Sequence, residues 1–298
     1  MRNTRIAVLG GAGMLGHKMF QRLGERFPET FCTVVEDLTL KPLCRVELLH
    51  SPKVIEAVDV RDLGSLQRTL SELRPAYIVN CVGIIKQRDQ AQSPIPNILI
   101  NSLLPHQLAA MATVWDGRVV HFSTDCVFSG KRGAYSEDDE SDAGDLYGKS
   151  KFLGEVTGPN AVTLRTSIIG RELMTHRSLL DWLLSQNHGK VRGFRKVIYS
   201  GVTTNYIAGI VANIIENHPD LHGLYQLVSE PIAKYELLCL LRDAYHLDIE
   251  IQPEDETISD RSMKGDKLTA AIGQQAPPWP ELVRQLADDP TPYESWLQ

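Results

Sequence analysis

Apolar residues fall into short runs at positions 6–9, 31–35 and 77–81, rich in Ile, Val, Phe and Cys. Runs of that length predict buried strands rather than helices. Between or after them, at 14–26 and 63–73, apolar positions recur at helical spacing. The alternation continues with a helix over 98–114, a strand over 119–123, a helix over 147–156 and a strand over 162–166. Continuous apolar strands alternating with helices are the pattern of a parallel sheet covered on both faces. The pattern therefore gives an α/β fold with a doubly wound parallel sheet.

Beyond Arg171 the alternation loosens. Helices are predicted over 178–186, 207–216 and 234–245, with strands over 197–199, 224–227 and 249–251. Residues 1–170 are expected to form a nucleotide-binding domain, with strands near 197–228 rejoining its sheet. Residues 171–298 are expected to form mainly a smaller substrate-binding lobe.

The first strand runs directly into Gly10-Gly11-Ala12-Gly13-Met14-Leu15-Gly16. Glycines at this spacing between a strand and a helix allow a tight turn, close approach of backbone to a pyrophosphate, and close helix packing. The helix N-terminus then offers free N–H groups to the phosphates. A Rossmann-type site predicts a carboxylate about 20 residues on, at the end of strand two, to accept the adenosine ribose hydroxyls. Glu36 and Asp37 both stand there, where a solvated turn would also carry acids. Asp59 and Val60, ending a third short strand, are the expected flank of the adenine ring.

Composition narrows the partners. The chain has 298 residues, 43% hydrophobic and 23% charged, with a net charge of −6. An acidic balance argues against nucleic acid or an anionic membrane surface as the main partner. No apolar run reaches the roughly 18 residues of a membrane-spanning helix. Five cysteines without CxxC spacing give neither a disulfide framework nor a zinc site, which predicts a reducing, cytoplasmic setting. A signal-peptide reading of the N-terminus fails, because glycines and His17-Lys18 follow the first apolar run.

The catalytic chemistry is expected at Tyr147-Gly148-Lys149-Ser150-Lys151. Positions i and i+4 share a helix face, so the Tyr147 phenol and the Lys151 ammonium can converge. A neighbouring cation lowers a phenol from its usual value near 10, towards a group that exchanges protons near neutrality. Ser123-Thr124-Asp125 ends the preceding strand, where side chains face the ligand crevice. Thr124 is expected to bond the substrate oxygen that Tyr147 protonates.

These segments together resemble an extended short-chain dehydrogenase/reductase, and within it the dTDP-4-dehydrorhamnose reductase family. The resemblance is carried by the glycine turn, Val79-Asn80-Cys81-Val82-Gly83, Ser123-Thr124-Asp125-Cys126-Val127-Phe128-Ser129-Gly130, and Tyr147-Gly148-Lys149-Ser150-Lys151 with Phe152-Leu153-Gly154-Glu155. Leu164-Arg165-Thr166-Ser167, Arg261-Ser262 and Lys267-Leu268 extend it over nearly the whole chain. It implies Thr124, Tyr147 and Lys151 as the catalytic set. It implies Asn101 as support for the proton relay, and Asn80, Cys81, Gly83 and Ser123 beside the cofactor. The implied activity is NAD(P)H-dependent reduction of a nucleotide-linked 4-keto-6-deoxy sugar for cell-envelope polysaccharide. Cys126 stands where the family usually has tyrosine, Ile168 where an aromatic is frequent, and the loop over 86–97 lacks the usual acids. All three fall near the expected sugar pocket.

Lys86, Asp125, Arg192, Arg195 and Arg261 are the substrate-binding candidates, with Arg192 and Arg195 flanking Phe194 in a loop. No metal site is expected: His106, His121 and His176 lack a second ligand at binding spacing, and Glu137-Asp138-Asp139-Glu140 reads as a solvated turn. The partner expected is the nucleotide sugar, with a homodimer as an admissible assembly. Two rivals stay open: an epimerase or dehydratase of the same superfamily that retains its NAD, and a catalytically idle nucleotide-binding regulatory subunit.

Overall fold

A computed structural model describes residues 4–85, 92–174 and 177–297. Strand β1 (Ile6–Leu9) alternates its side chains between two cores: Ile6 and Val8 face one layer, Ala7 and Leu9 the other. It leads through the glycine turn into α1 (Met14–Arg26), then β2 (Thr30–Thr33), β3 (Val54–Ile55), α2 (Leu63–Leu73) and β4 (Tyr77–Asn80). Next come α3 (Pro94–Asn97), a π-helical stretch Ile98–Leu103 and α4 (Leu104–Thr113) as one interrupted helix. Strand β5 (Arg118–Thr124), α5 (Leu146–Leu153) and β6 (Ala161–Thr166) follow.

The remaining chain supplies β7 (Ile168–Ile169), α6 (Leu179–Ser185), β8 (Lys190–Phe194), β9 (Val197–Tyr199), β10 (Val202–Thr203), α7 (Thr204–Asn217) and β11 (Gly223–Gln226). Then come β12 (Ile232–Ala233), α8 (Lys234–Ala244), β13 (Glu250–Glu254), β14 (Ser259–Asp260), α9 (Asp266–Ile272), α10 (Trp279–Ala287) and α11 (Tyr293–Leu297).

The main sheet has seven strands in the order β11-β6-β5-β4-β1-β2-β3, every pair parallel. Helices α1 and α7 bury Leu15, Met19, Leu23, Ile207, Val211 and Ile214 on one face. Helices α2 and α4 bury Leu66, Leu70, Leu104 and Leu108 on the other. This is the doubly wound sheet the alternation predicts. Chain order reverses between β1 and β4, so a crevice opens at the carboxyl ends of those strands.

A second core gathers α6, α8, α10 and the short strands around Trp279, which is almost fully buried. Of the strands within 197–228, β11 joins the main sheet, beside β6. Strand β9 pairs instead with β12 and β14, and β10 with β7. These short strands find their backbone partners in other short strands of the lobe, outside the main sheet. No helix among the described residues is long and apolar enough to cross a membrane.

Candidate active site

Thr124 closes β5 and caps the short helical turn after it. Its Oγ1 accepts from the Cys126 N–H at 3.1 Å and donates to Asp125 Oδ1 at 3.1 Å, and the hydroxyl lies beside the Tyr147 phenol and acts on it. Helix α5 is started by Asp145, whose carboxylate accepts from the Gly148 N–H at 2.8 Å. Gly148 lets the helix close on that turn, since a Cβ there would lie 2.1 Å from the Cys126 carbonyl oxygen. The approach brings Tyr147 to Thr124.

Lys151, one turn on, is buried and donates to the Phe122 carbonyl at 2.6 Å. Burial pulls its amine down to about 8, with Glu155 acting the other way. Burial, reinforced by Cys126, pushes the Tyr147 phenol above its usual value, and the Thr124 bond only partly opposes this. The expectation that Lys151 lowers the phenol is therefore corrected. The ammonium is turned to a backbone carbonyl, and Tyr147 stays protonated as an acid.

The glycines have separable roles. Gly10 has φ +83°, a left-handed conformation, and packs against Cys81 and Val82. A Cβ on Gly16 would lie 1.9 Å from the Gly10 carbonyl oxygen, so only glycine lets α1 seat there. Gly13 has an ordinary φ of −77° and its Cβ would meet only the Gly10 carbonyl oxygen, at 3.3 Å. Met14 and Leu15 open α1 without a side-chain cap, leaving first-turn N–H groups for a ligand. An uncapped N-terminus beside a turn of close-packed glycine backbone fits a dinucleotide pyrophosphate.

Asn101 lies fully buried in the π-helical stretch and clamps the strand-four loop. Its Oδ1 accepts from the Ile84 N–H at 2.9 Å, while Nδ2 donates to the Ile84 carbonyl at 3.1 Å and to Ser150 Oγ at 3.2 Å. A Cβ on Gly83 would lie 3.4 Å from Asn101 Oδ1 and 3.9 Å from Lys151 Nζ, so that loop, Asn101 and Lys151 meet. Asn80 bonds the Val82 N–H and His121 Nδ1, holding the loop's shape. Cys81 is half-buried, and burial raises its thiol.

Other expectations change. Ser123 points away from Thr124, to the opposite face of β5, and donates to Glu155 Oε1 at 2.7 Å. Strand two ends at Thr33, so Glu36 and Asp37 lie beyond it. Asp37 accepts from the Thr39 N–H and hydroxyl at 2.8 and 2.6 Å in a local turn, which leaves Glu36 the freer acid. Strand three ends at Ile55, and Asp59 sits on a later turn, ion-paired with Arg61 at 2.6 Å; Val60 follows it.

Arg192 is on β8 rather than in a loop, over the Phe194 ring, and the Arg195 guanidinium is taken by exposed Asp255. Arg261 does reach the site: Nε donates to the Phe128 carbonyl at 2.9 Å and its charge acts on Asp125. Burial raises the Asp125 carboxyl, with Arg261 and Lys234 opposing. Lys86 and His176 lie outside the described residues.

Sequence reasoning passed over Lys234 and the ion pair behind Lys151. In that pair Glu155 is held by Arg165 at 2.7 and 2.8 Å, both side chains almost fully buried. The i+4 spacing of Lys151 and Glu155 was the available signal for the second. Lys234 had none.

Comparison with known proteins places this arrangement. The spore coat polysaccharide biosynthesis protein SpsK of Bacillus subtilis (strain 168) is 29% identical over 255 residues, 83% of this chain and 82% of the other. A probable dTDP-4,6-dihydroxy-2-methyloxan-3-one 4-ketoreductase of Streptomyces antibioticus is 29% identical over 248 residues, 78% and 73% of the two chains. Among solved structures, the dTDP-4-dehydrorhamnose reductase of Bacillus anthracis str. Ames, in complex with NADP, superposes with a TM-score of 0.76. That match covers 95% of this chain and 98% of the other at 19% identity, and shows the shared fold. The model of the RmlD substrate binding domain family matches residues 4–290, and the chain belongs to that family.

Proposed function

We propose that the protein is an NAD(P)H-dependent reductase of a nucleotide-linked 4-keto-6-deoxy sugar. The observation that carries this is the convergence of the Thr124 hydroxyl and the Tyr147 phenol at the crevice end of β5, with the buried Lys151 one helical turn on, donating to the Phe122 carbonyl of the same strand. A reduced nicotinamide held in this crevice would supply the hydride for the sugar carbonyl carbon. Thr124 fixes the carbonyl oxygen, and Tyr147 donates its proton to that oxygen as the C–H bond forms, leaving an alcohol. Lys151 would hold the nicotinamide ribose, and its ammonium, whose amine is pulled down to about 8, is the acid that can return a proton to the phenolate.

Gly10, Gly13, Met14, Leu15 and Gly16 would hold the pyrophosphate, Glu36 the adenosine ribose, and the 80–83 loop with Asn101 the nicotinamide side. Asp125, Arg261 and Lys234 line the substrate side, where a carboxyl and two cations suit hydroxyls and a diphosphate. The product feeds cell-envelope polysaccharide, and the site of action is the cytoplasm. We place the boundary between cofactor domain and substrate lobe near residue 170. A homodimer would cover the exposed apolar positions Ile95, Ile98, Leu99, Leu103, Phe152 and Leu153 on neighbouring helices.

The test follows NADH and NADPH absorbance at 340 nm during turnover of a panel of nucleotide 4-keto-6-deoxy sugars. Stoichiometric cofactor oxidation supports the reductase. Sugar conversion without net oxidation would point to an epimerase or dehydratase, and cofactor binding without turnover of any substrate to an idle subunit.

A further inference from the structure

The C-terminal segment reaches back to the glycine turn. His17, fully buried in the first turn of α1, has Nδ1 2.8 Å from the Gly13 carbonyl oxygen and Nε2 2.8 Å from the Tyr293 hydroxyl. A carbonyl only accepts, so Nδ1 carries the proton and Nε2 accepts from the Tyr293 O–H. The His17 N–H also donates to the same carbonyl at 3.1 Å, so one residue gives Gly13 two hydrogen bonds.

Tyr293 is itself firmly held. Its ring lies under the Lys18 ammonium at 5.3 Å and the Arg171 guanidinium at 4.8 Å. Lys18, buried, is fixed by Asp289 and Thr291 at 2.8 Å each, and Arg171 by Asp181 at 2.8 Å. Tyr293 and Trp296 bury against the core that contains Ala12 and Val34, which flank the turn.

A trans peptide is planar, with its C=O and N–H antiparallel. Fixing the Gly13 carbonyl therefore fixes the direction of the Met14 N–H, one of the uncapped donors at the mouth of α1. We infer that Tyr293, acting through the His17 ring on the Gly13 carbonyl, is a positioning residue for the phosphate-facing donors, which makes segment 289–297 part of the dinucleotide site's scaffold. This rests on the dinucleotide reading proposed above.

The experiment measures NADH and NADPH dissociation constants by calorimetry, together with Tm, for the parent, Tyr293→Phe, His17→Phe and the double variant. Loss of the Tyr293 hydroxyl is expected to weaken binding about three- to tenfold, the scale of one buried hydrogen bond. His17→Phe is expected to weaken it at least as much, and the double variant no more than His17→Phe alone, because the tyrosine acts through the histidine. An unchanged dissociation constant in folded Tyr293→Phe, even with a lowered Tm, overturns the inference, as do additive losses in the double variant. A parent that binds neither cofactor overturns the dinucleotide reading itself.

Discussion

At the scale of single residues, the proposed chemistry turns on one proton. Burial keeps the Tyr147 phenol protonated, and the Thr124 hydroxyl beside it only partly opposes that shift. Replacing Tyr147 by Phe removes the acid and little volume. Turnover should fall by about 10²–10⁴, the usual contribution of a positioned acid, with cofactor affinity and Tm unchanged. Near-parental kcat would exclude Tyr147 as donor. The ribose contact makes a second residue-scale claim. Asp37 is committed to Thr39, so Glu36 is the acid left to meet the adenosine ribose. A carboxylate there accepts hydroxyl bonds and repels a 2′-phosphate, so the parent should prefer NADH or use both cofactors. Glu36→Ala should shift the NADH/NADPH ratio of kcat/KM about tenfold towards NADPH, or about 1.4 kcal/mol. Asp37→Ala should shift it little; equal shifts in both variants would refute the division of labour.

At the scale of elements, the glycine turn separates two effects that a sequence pattern merges. Gly16 is demanded by the fold, since a Cβ there would lie 1.9 Å from the Gly10 carbonyl oxygen, whereas Gly13 has ordinary backbone and its Cβ would need that carbonyl, 3.3 Å away, to give only slightly. Gly16→Ala should therefore lower Tm as well as cofactor affinity. Gly13→Val should abolish cofactor binding while far-UV circular dichroism stays near parental, because the added methyls occupy ligand space. Retained binding in Gly13→Val would make the turn a purely structural feature. The elements that hydrophobic patterning made legible are strands buried on both faces, which read as unbroken apolar runs (β1, β4, β5 and β6), and helices with an apolar face (α1 and α2). The small-lobe strands were poorly legible because their partners are remote in sequence, as where β8 pairs with β13 and turns a supposed Arg192 loop into strand. That β5 and α5 bring Thr124, Tyr147 and Lys151 together could be read because strand end and helix spacing are local rules. The direction of the Ser123 side chain, towards Glu155, was not legible from its neighbourhood with Thr124, because a one-residue step along a strand reverses the face. Lys234 and Tyr293 could not be read at all, since only tertiary folding brings them near β5 and α1.

At the scale of the molecule, the link between α1 and the C-terminal segment makes stability depend on acid. His17 is fully buried, and its imidazole is pulled from 6.5 down to about 4 by burial, only partly opposed by the bond to Gly13. His121, buried beside Asn80, is pulled down in the same sense by burial and by Lys151. A histidine that is neutral when folded but titrates near 6.5 when unfolded gives the unfolded chain the extra proton between those values. Stability is then full above pH 6.5 and falls as pH drops towards 4. At pH 5 His17 has lost about 1.5 units of that interval, or about 2 kcal/mol. Asp289, paired with Lys18 and held down to about 2, extends the same trend below about pH 4. Asp125 and Asp181, raised by burial, act against it. Comparison of parent and variant isolates one group from this sum. Urea unfolding at pH 7 and pH 5 should show a loss of stability in the parent that shrinks by about 2 kcal/mol in His17→Phe, which has no proton to gain. If both proteins lose the same amount, His17 is not held neutral. The tail would then be anchored to the glycine turn by its ion pairs and aromatic packing instead.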